Sequence, residues 1–138
     1  MGLRKIVTDF EKALHRLADA HAKVIKYRDT DYYEYFRDSS IQRFELCVEL
    51  MWKTIKKFLE EYEGITCRSP KGCIRELFSV GLISQDDALK LLQMIDDRNM
   101  TVHTYHEEVA ESIFQNLGTY IELMNAVLGA IKKFRNGN

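Results

Sequence analysis

Apolar residues recur every three or four positions along most of the chain, a spacing that predicts amphipathic helices. A first helix is expected over about Leu3 to Tyr27. A second begins at the capping residues 29–31 and continues to about Tyr62, where Gly64 ends it. The second helix has an aromatic-rich start, followed by this apolar stripe: Ile41, Phe44, Cys47 or Val48, Met51, Ile55, Phe58 or Leu59, and Tyr62.

Three further helices are expected in the second half of the chain. Ser69 before Pro70 is a helix start, because serine caps the first amides and proline suits the first helical position. This short helix ends at Gly81, and its buried residues are expected to be Ile74, Leu77 and Phe78. Ser84 and the acidic residues after it start the next helix. The last helix is expected over about residues 107–133.

No segment has the pattern of a strand or a repeat, so we predict an all-α fold of one domain over residues 1–138. Four long helices and one additional short helix favour an antiparallel four-helix bundle. The stripes are broad and aromatic-rich, which leaves apolar surface to spare and favours a homodimer. No run approaches the ~20 apolar residues of a membrane span. With no signal core at the N-terminus, we expect a cytoplasmic protein without membrane contact.

Charge and cysteine content narrow the function classes. The net charge of −1 argues against a bulk nucleic-acid or DNA binder, but it leaves room for an enzyme with a small basic site. The three cysteines are Cys47, Cys67 and Cys73, an odd number that fits a reducing cytosol. The last two have no histidine nearby in sequence, which argues against zinc. We therefore expect three packed thiols and no metal site.

The stretch from Arg98 to Tyr105 is not explained by the apolar stripes. It places a permanent cation, an amide, an imidazole and a phenol within two turns, at Arg98, Asn99, His103 and Tyr105. Such groups suit in-line attack of a ribose 2′-OH on the adjacent phosphate. His103 would move the proton, Arg98 would stabilise the developing charge, and Asn99 would orient His103 or bind substrate. This chemistry requires no metal and no cofactor.

The geometry of a straight helix does not bring these groups together. At 100° per residue, Asn99 and His103 would share one face, while Arg98 would point away from His103. The helix could break near residues 101–102, where β-branched side chains lower helix propensity. Alternatively, two copies could pool their groups across a dimer axis. We expect both to act together.

These residues carry a family resemblance. An arginine followed by a histidine at this spacing resembles the signature of the HEPN superfamily. The longer form, Arg-x4-His-x-Tyr, is similar to that of HepT toxins encoded beside minimal nucleotidyltransferases, and Arg98, His103 and Tyr105 match it in full. The resemblance covers about residues 14–132. It extends to the nucleotidyltransferase substrate-binding proteins of that superfamily through residues 37–45, 52–53, 69–71 and 96–99.

The resemblance implies an all-α up-and-down bundle that dimerises, with the motifs of the two protomers facing each other across a cleft. It also implies a metal-independent endoribonuclease toxin that acts on RNA. The implied partner is a minimal nucleotidyltransferase antitoxin that adds AMP to Tyr105. AMP would place negative charge and bulk beside Arg98 and compete with the RNA phosphate. The alternative function is a non-catalytic substrate-binding subunit of a two-component nucleotidyltransferase.

Supporting residues and a structural alternative remain. Arg43 could pair with Asp38 or Asp97 in a network that orients the motif. The structural alternative is a plain dimeric helical protein in which Arg98 forms an ion pair with Asp96 or Asp97 and His103 is packed.

Overall fold

The computed structural model describes residues 2–137, which form five α-helices and no strand. The helices are α1 (Leu3–Lys26), α2 (Tyr33–Phe58), α3 (Pro70–Ser79), α4 (Gln85–Asn99) and α5 (Glu107–Gly137). A π-helical turn, Leu59–Glu63, extends α2, and a 3-10 turn, Met100–His103, extends α4. The predicted all-α up-and-down bundle of four longer helices and one short helix is confirmed. Across residues 2–137, no helix is both long and apolar enough to cross a membrane.

The core is formed mainly where α1, α2 and α5 pack together, with α3 and α4 closing one side. In its centre, the Phe44 ring of α2 stacks on the Tyr120 ring of α5 at 5.7 Å. Phe10, Leu17, Met51 and Leu117 are fully buried around them. Burial of such side chains is the main stabilising contribution to a bundle. The packing fixes the last turn of α4 and the first turn of α5 relative to α2. The motif lies in the segment that connects these two turns.

The capping residues give the predicted helix boundaries. The hydroxyl of Ser69 accepts from the amide of Gly72 at 3.0 Å, and that of Ser84 accepts from the amide of Asp87 at 3.1 Å. Gly64 has a φ of 65°, in the left-handed region where glycine has no Cβ penalty. Helix α2 starts at Tyr33, slightly later than residues 29–31, because residues 27–32 form the turn from α1.

Two expectations about apolar residues are wrong. Phe78 is 42% exposed and Tyr62 is 43% exposed, although both were expected on buried stripes. The buried face of α3 consists of Cys73, Ile74 and Leu77. Phe78 lies about 100° around the helix from Leu77 and therefore leaves that face.

The prediction of three packed thiols is also wrong. Cys67 and Cys73 form a disulfide, with their Cα atoms 5.1 Å apart. The chain turns at Ser69 into the first turn of α3, which brings Cys73 back beside Cys67 at a separation suited to a disulfide. Only Cys47 matches the expectation of a buried thiol, and burial raises its pKa to about 12.

Candidate active site

The motif lies where α4 gives way to α5, and the predicted break in the helix is confirmed. Helix α4 ends at Asn99, and the chain tightens into the 3-10 turn before Glu107 starts α5. The buried Thr101 stabilises the break, because its hydroxyl donates to the carbonyl of Arg98 at 2.8 Å. The amide of His106 then donates to the carbonyl of His103 at 3.0 Å. The polar groups of the motif are thus held on a compact turn.

Arg98 has few partners for its guanidinium. Its Nη1 lies 3.5 Å from Oε2 of Glu45 and 3.4 Å from the hydroxyl of Thr101. Its Nε and Nη2 have no partner among residues 2–137. The side chain is 30% exposed. These free N–H groups can bind an anion such as a phosphate.

The structural alternative for Arg98 is wrong, because neither neighbouring aspartate pairs with it. Asp96 forms an ion pair with Lys71 of α3 at 2.6 Å. Oδ2 of Asp97 accepts from the hydroxyl of Tyr120 at 2.5 Å. Burial and the neighbouring Asp97 carboxylate raise the pKa of Tyr120 above its usual range. Asp97 therefore links the end of α4 to α5.

His103 and Tyr105 are exposed and lie together. Nδ1 of His103 is 3.3 Å from the hydroxyl of Tyr105, so the two can share a hydrogen bond whose direction depends on the imidazole tautomer. Tyr105 is 75% exposed. Asn99 is also exposed, and within residues 2–137 its side chain makes no hydrogen bond to His103. In one chain, no hydrogen bond or ion pair between described residues joins Arg98 to His103.

The expected pairing of Arg43 with Asp38 or Asp97 is wrong. Nη1 of Arg43 donates to the carbonyl of Arg16 on α1 at 2.8 Å. Arg43 and Asp38 are five residues apart and therefore point about 140° away from each other around α2. Asp38 pairs with Arg37 instead, at 3.1 Å.

The important residue that the sequence interpretation missed is Arg37. Its side chain is only 2% exposed, and each of its five N–H donors has a carboxylate acceptor. The acceptors are Asp38 on α2 and Glu107 and Glu111 on α5. A signal was present in the sequence, because Arg37 lies four residues before Ile41 and thus continues the apolar stripe of α2.

Arg37 lowers the pKa values of its two glutamate partners on α5, Glu107 and Glu111. The hydrogen bond from Arg37 lowers the pKa of Glu107 below its usual range. Burial opposes ionisation of Glu111, but hydrogen bonds from Tyr33, Gln115 and Arg37 outweigh burial and lower its pKa. The hydroxyl of Tyr33 donates to Glu111 at 2.7 Å, and burial together with this carboxylate raises the pKa of Tyr33 to about 12. The cluster is therefore an ionised network between α2 and the start of α5.

Comparisons with known proteins place the chain in a family. A family model described as nucleotidyltransferase substrate binding protein like matches residues 5–133. The probable ribonuclease HepT of Haemophilus influenzae is 31% identical in an alignment of 86 positions that covers 59% of this chain. The match spans 58% of the length of that curated relative.

Solved structures share the fold. A crystal structure of a Thermus thermophilus protein is 40% identical, with a TM-score of 0.71 over 83% of this chain and 98% of that chain. The HI0074 protein of Haemophilus influenzae, described as a substrate binding domain of a nucleotidyltransferase, has a TM-score of 0.71 at 22% identity, covering 91% and 98%. A mutant MntA–HepT toxin–antitoxin structure has a TM-score of 0.77 at 19% identity, covering 93% and 98%. Because the family model covers nearly the whole chain, this protein belongs to the nucleotidyltransferase substrate binding protein-like family.

Proposed function

We propose that this protein is a metal-independent endoribonuclease toxin of a toxin–antitoxin pair. The observation that carries the proposal is the arrangement of the motif. A guanidinium with unused donors, that of Arg98, lies one short turn from an exposed imidazole, that of His103. The relative named as a probable ribonuclease and the structure of a toxin–antitoxin pair support the same function.

The proposed reaction is transesterification within RNA. The 2′-OH loses its proton to a base, its oxygen bonds to phosphorus, and the bond from phosphorus to the 5′-oxygen breaks. The leaving oxygen takes a proton, which gives a cyclic phosphate and a 5′-OH. The exposed imidazole of His103 would act as the base or the acid in this reaction. Arg98 would stabilise the charge on the phosphoryl oxygens, and Asn99 would contact the substrate.

A homodimer would bring the groups of two motifs to one phosphate. In a single chain, no hydrogen bond or ion pair among residues 2–137 joins Arg98 to His103. The apolar side chains of Met100 and Val102, which lie between Arg98 and His103 in the motif, are 43% and 67% exposed. An apolar surface of this kind is suited to burial against a second copy. Arg98 of one copy would then act with His103 of the other.

The partner that we propose is a minimal nucleotidyltransferase acting as the antitoxin. The Tyr105 hydroxyl would attack the α-phosphorus of ATP, forming the tyrosyl–AMP bond and releasing pyrophosphate. The exposure of Tyr105 makes its oxygen accessible to such an enzyme. The added phosphate would lie next to His103, whose Nδ1 contacts the oxygen of the unmodified Tyr105. Modification would therefore occupy the motif and exclude RNA.

The test is cleavage of RNA by purified protein in the presence of a metal chelator. We expect fragments that end in a cyclic phosphate, and we expect His103→Ala to remove the activity while the helical content is unchanged. The matched control is His15→Ala, since His15 is an exposed histidine on α1. Cleavage that survives His103→Ala would overturn the proposal.

A second candidate function is the substrate-binding subunit of a two-component nucleotidyltransferase, which the description of the matched family supports. In that case Arg98 would hold an anionic group for the partner enzyme. The chain would bind the nucleotidyltransferase and would not cleave RNA in any buffer. Intact mass after co-expression with the nucleotidyltransferase separates the two: a gain of AMP that is lost in Tyr105→Phe supports the toxin.

A further inference from the structure

Arg37 connects α2 to the residue at which α5 begins. Its Nη2 donates to Oε1 of Glu107 at 3.0 Å, and its Nη1 donates to Oε2 of the same carboxylate. Glu107 is the first residue of α5 and follows His103 by four positions. Two parallel hydrogen bonds from one guanidinium fix the direction of a carboxylate as well as its distance. The start of α5 is therefore held at a defined place against α2.

Backbone hydrogen bonds connect the fixed position of Glu107 to the motif. His106 precedes Glu107, and its amide donates to the carbonyl of His103 at 3.0 Å. The carbonyl of His106 accepts from the amide of Ala110 at 3.2 Å, which closes the first turn of α5. A displacement of Glu107 would thus move His106 and, with it, the carbonyl end of His103.

The same guanidinium is fixed from its other side. Asp38 accepts from Nε at 3.2 Å and from Nη2 at 3.1 Å. Glu111, one turn into α5, accepts from Nη1 at 3.2 Å. The ring of Tyr33 lies 5.7 Å from the Arg37 guanidinium carbon, and its hydroxyl holds Glu111. Arg37 has no free donor and little exposed surface, so it is not itself available to a substrate.

We propose that Arg37 is a positioning residue for His103: it fixes the start of α5 and thereby the place from which the imidazole acts. The proposal rests on the function proposed above. Arg37 touches none of the reacting groups; it acts through Glu107 and the turn of residues 103–106. A residue that only stabilised the bundle would change the fraction of folded protein, whereas a positioning residue changes the rate of the folded molecule.

The experiment compares Arg37→Met with Lys132→Met. Lys132 also forms an ion pair from one helix to another, with Glu11 of α1 at 2.8 Å, but at the far end of α5. Both variants are assayed well below their melting temperatures, with the folded fraction checked by circular dichroism. We expect Arg37→Met to lower kcat on RNA roughly 10- to 100-fold. KM should change less than about threefold, as expected when binding is retained. Lys132→Met should leave both constants unchanged.

A second measurement does not depend on activity. Hydrogen exchange of the His106 amide, followed by NMR, reports the hydrogen bond to His103. We expect faster exchange of this amide in Arg37→Met, no change in Lys132→Met, and an intermediate rate in Arg37→Lys, which keeps the cation but loses the planar fork. If the His106 amide exchanges at the wild-type rate in both Arg37 variants, Arg37 does not fix the turn that carries His103.

The kcat and the exchange rate of the His106 amide test the ribonuclease function and the positioning role of Arg37 separately. If the wild-type protein cleaves no RNA, the proposed ribonuclease function fails, and the His106 exchange rate alone decides whether Arg37 fixes the turn. If the wild-type protein cleaves RNA and Arg37→Met retains its kcat, the ribonuclease stands and the positioning role is overturned.

Discussion

Arg37 and Arg98 show opposite environments for the same side chain. Arg37 is 2% exposed, and all five of its donors are used by three carboxylates. Arg98 is 30% exposed and has one long contact to a carboxylate, Glu45, at 3.5 Å. A buried guanidinium must have its donors satisfied, whereas an exposed one can leave donors to water or to a ligand. The number of unused donors separates the arginine that holds the fold from the arginine that can bind phosphate.

The largest effect expected from this comparison is on Arg98. Arg98→Ala should lower the rate of RNA cleavage roughly 10²- to 10³-fold, because a donor to the developing charge is lost. The free energy of unfolding should change by less than about 1 kcal/mol, since the contact with Glu45 is partly exposed. Single-turnover cleavage and urea unfolding measure the two. An Arg98→Ala variant that is strongly destabilised but fully active would show that Arg98 stabilises the fold and does not act on RNA.

Substitution of Arg37 should lower the free energy of unfolding more than substitution of Arg98 does. Arg37→Met removes five charged hydrogen bonds, but the carboxylates left behind are exposed enough to be hydrated, with Glu107 62% and Asp38 61% exposed. We expect the free energy of unfolding to fall by about 2 kcal/mol. Urea unfolding measures the loss, and Lys132→Met, expected to cost about 0.5 kcal/mol, is the control. Equal losses in the two variants would contradict the structural role of Arg37.

Acid should weaken the Arg37 network. The folded pKa values of Glu107 and Glu111 lie below the ordinary value of 4.5, so the unfolded chain binds more protons as the pH falls through this range. The stabilisation is fully present above that value and is lost as the pH falls through the folded pKa values. The melting temperature of Arg37→Met should therefore fall less with acid than that of the wild type. Parallel curves would show that the network does not contribute.

The smallest effect concerns the weak partner of Arg98. Glu45→Gln removes the carboxylate that competes with phosphate for Nη1. We expect KM for RNA to fall about two- to fivefold, which corresponds to an exposed ion pair. The rate at saturating RNA should be unchanged. Glu60→Gln is a matched control, because Glu60 has nearly the same exposure and pairs with Lys56 at 2.9 Å. An equal fall in KM for both variants would indicate a general effect of charge.

Most of the fold follows from sequence periodicity and capping. A few neighbouring residues encode each of these features. They are the apolar stripes of α1, α2 and α5, the serine caps at Ser69 and Ser84, and the break in the helix before His103. The motif residues could also be chosen from the sequence, because a polar cluster at Arg98–Tyr105 has no place on an apolar stripe. Local patterns are sufficient wherever the structural cause is local.

The remainder depends on contacts between distant segments. The acceptors of Arg37 on α5 are 70 and 74 residues away, and periodicity does not state which carboxylates will face it. The partner of Arg43 is a backbone carbonyl, which no side-chain pattern can indicate. The disulfide requires the turn at Ser69 to bring Cys67 and Cys73 together, and this depends on geometry that spacing alone does not fix.

The disulfide also has a consequence for fragments of the chain. Arg68 and Lys71 lie inside the ring that Cys67 and Cys73 close. A chain cut by trypsin at either residue would remain one covalent molecule, with α1 and α2 on one peptide and α3 to α5 on the other. Reductant would then release the two peptides from each other. Gel filtration of such a nicked sample would show directly whether the packing between α2 and α5 can hold the two halves together without a peptide bond.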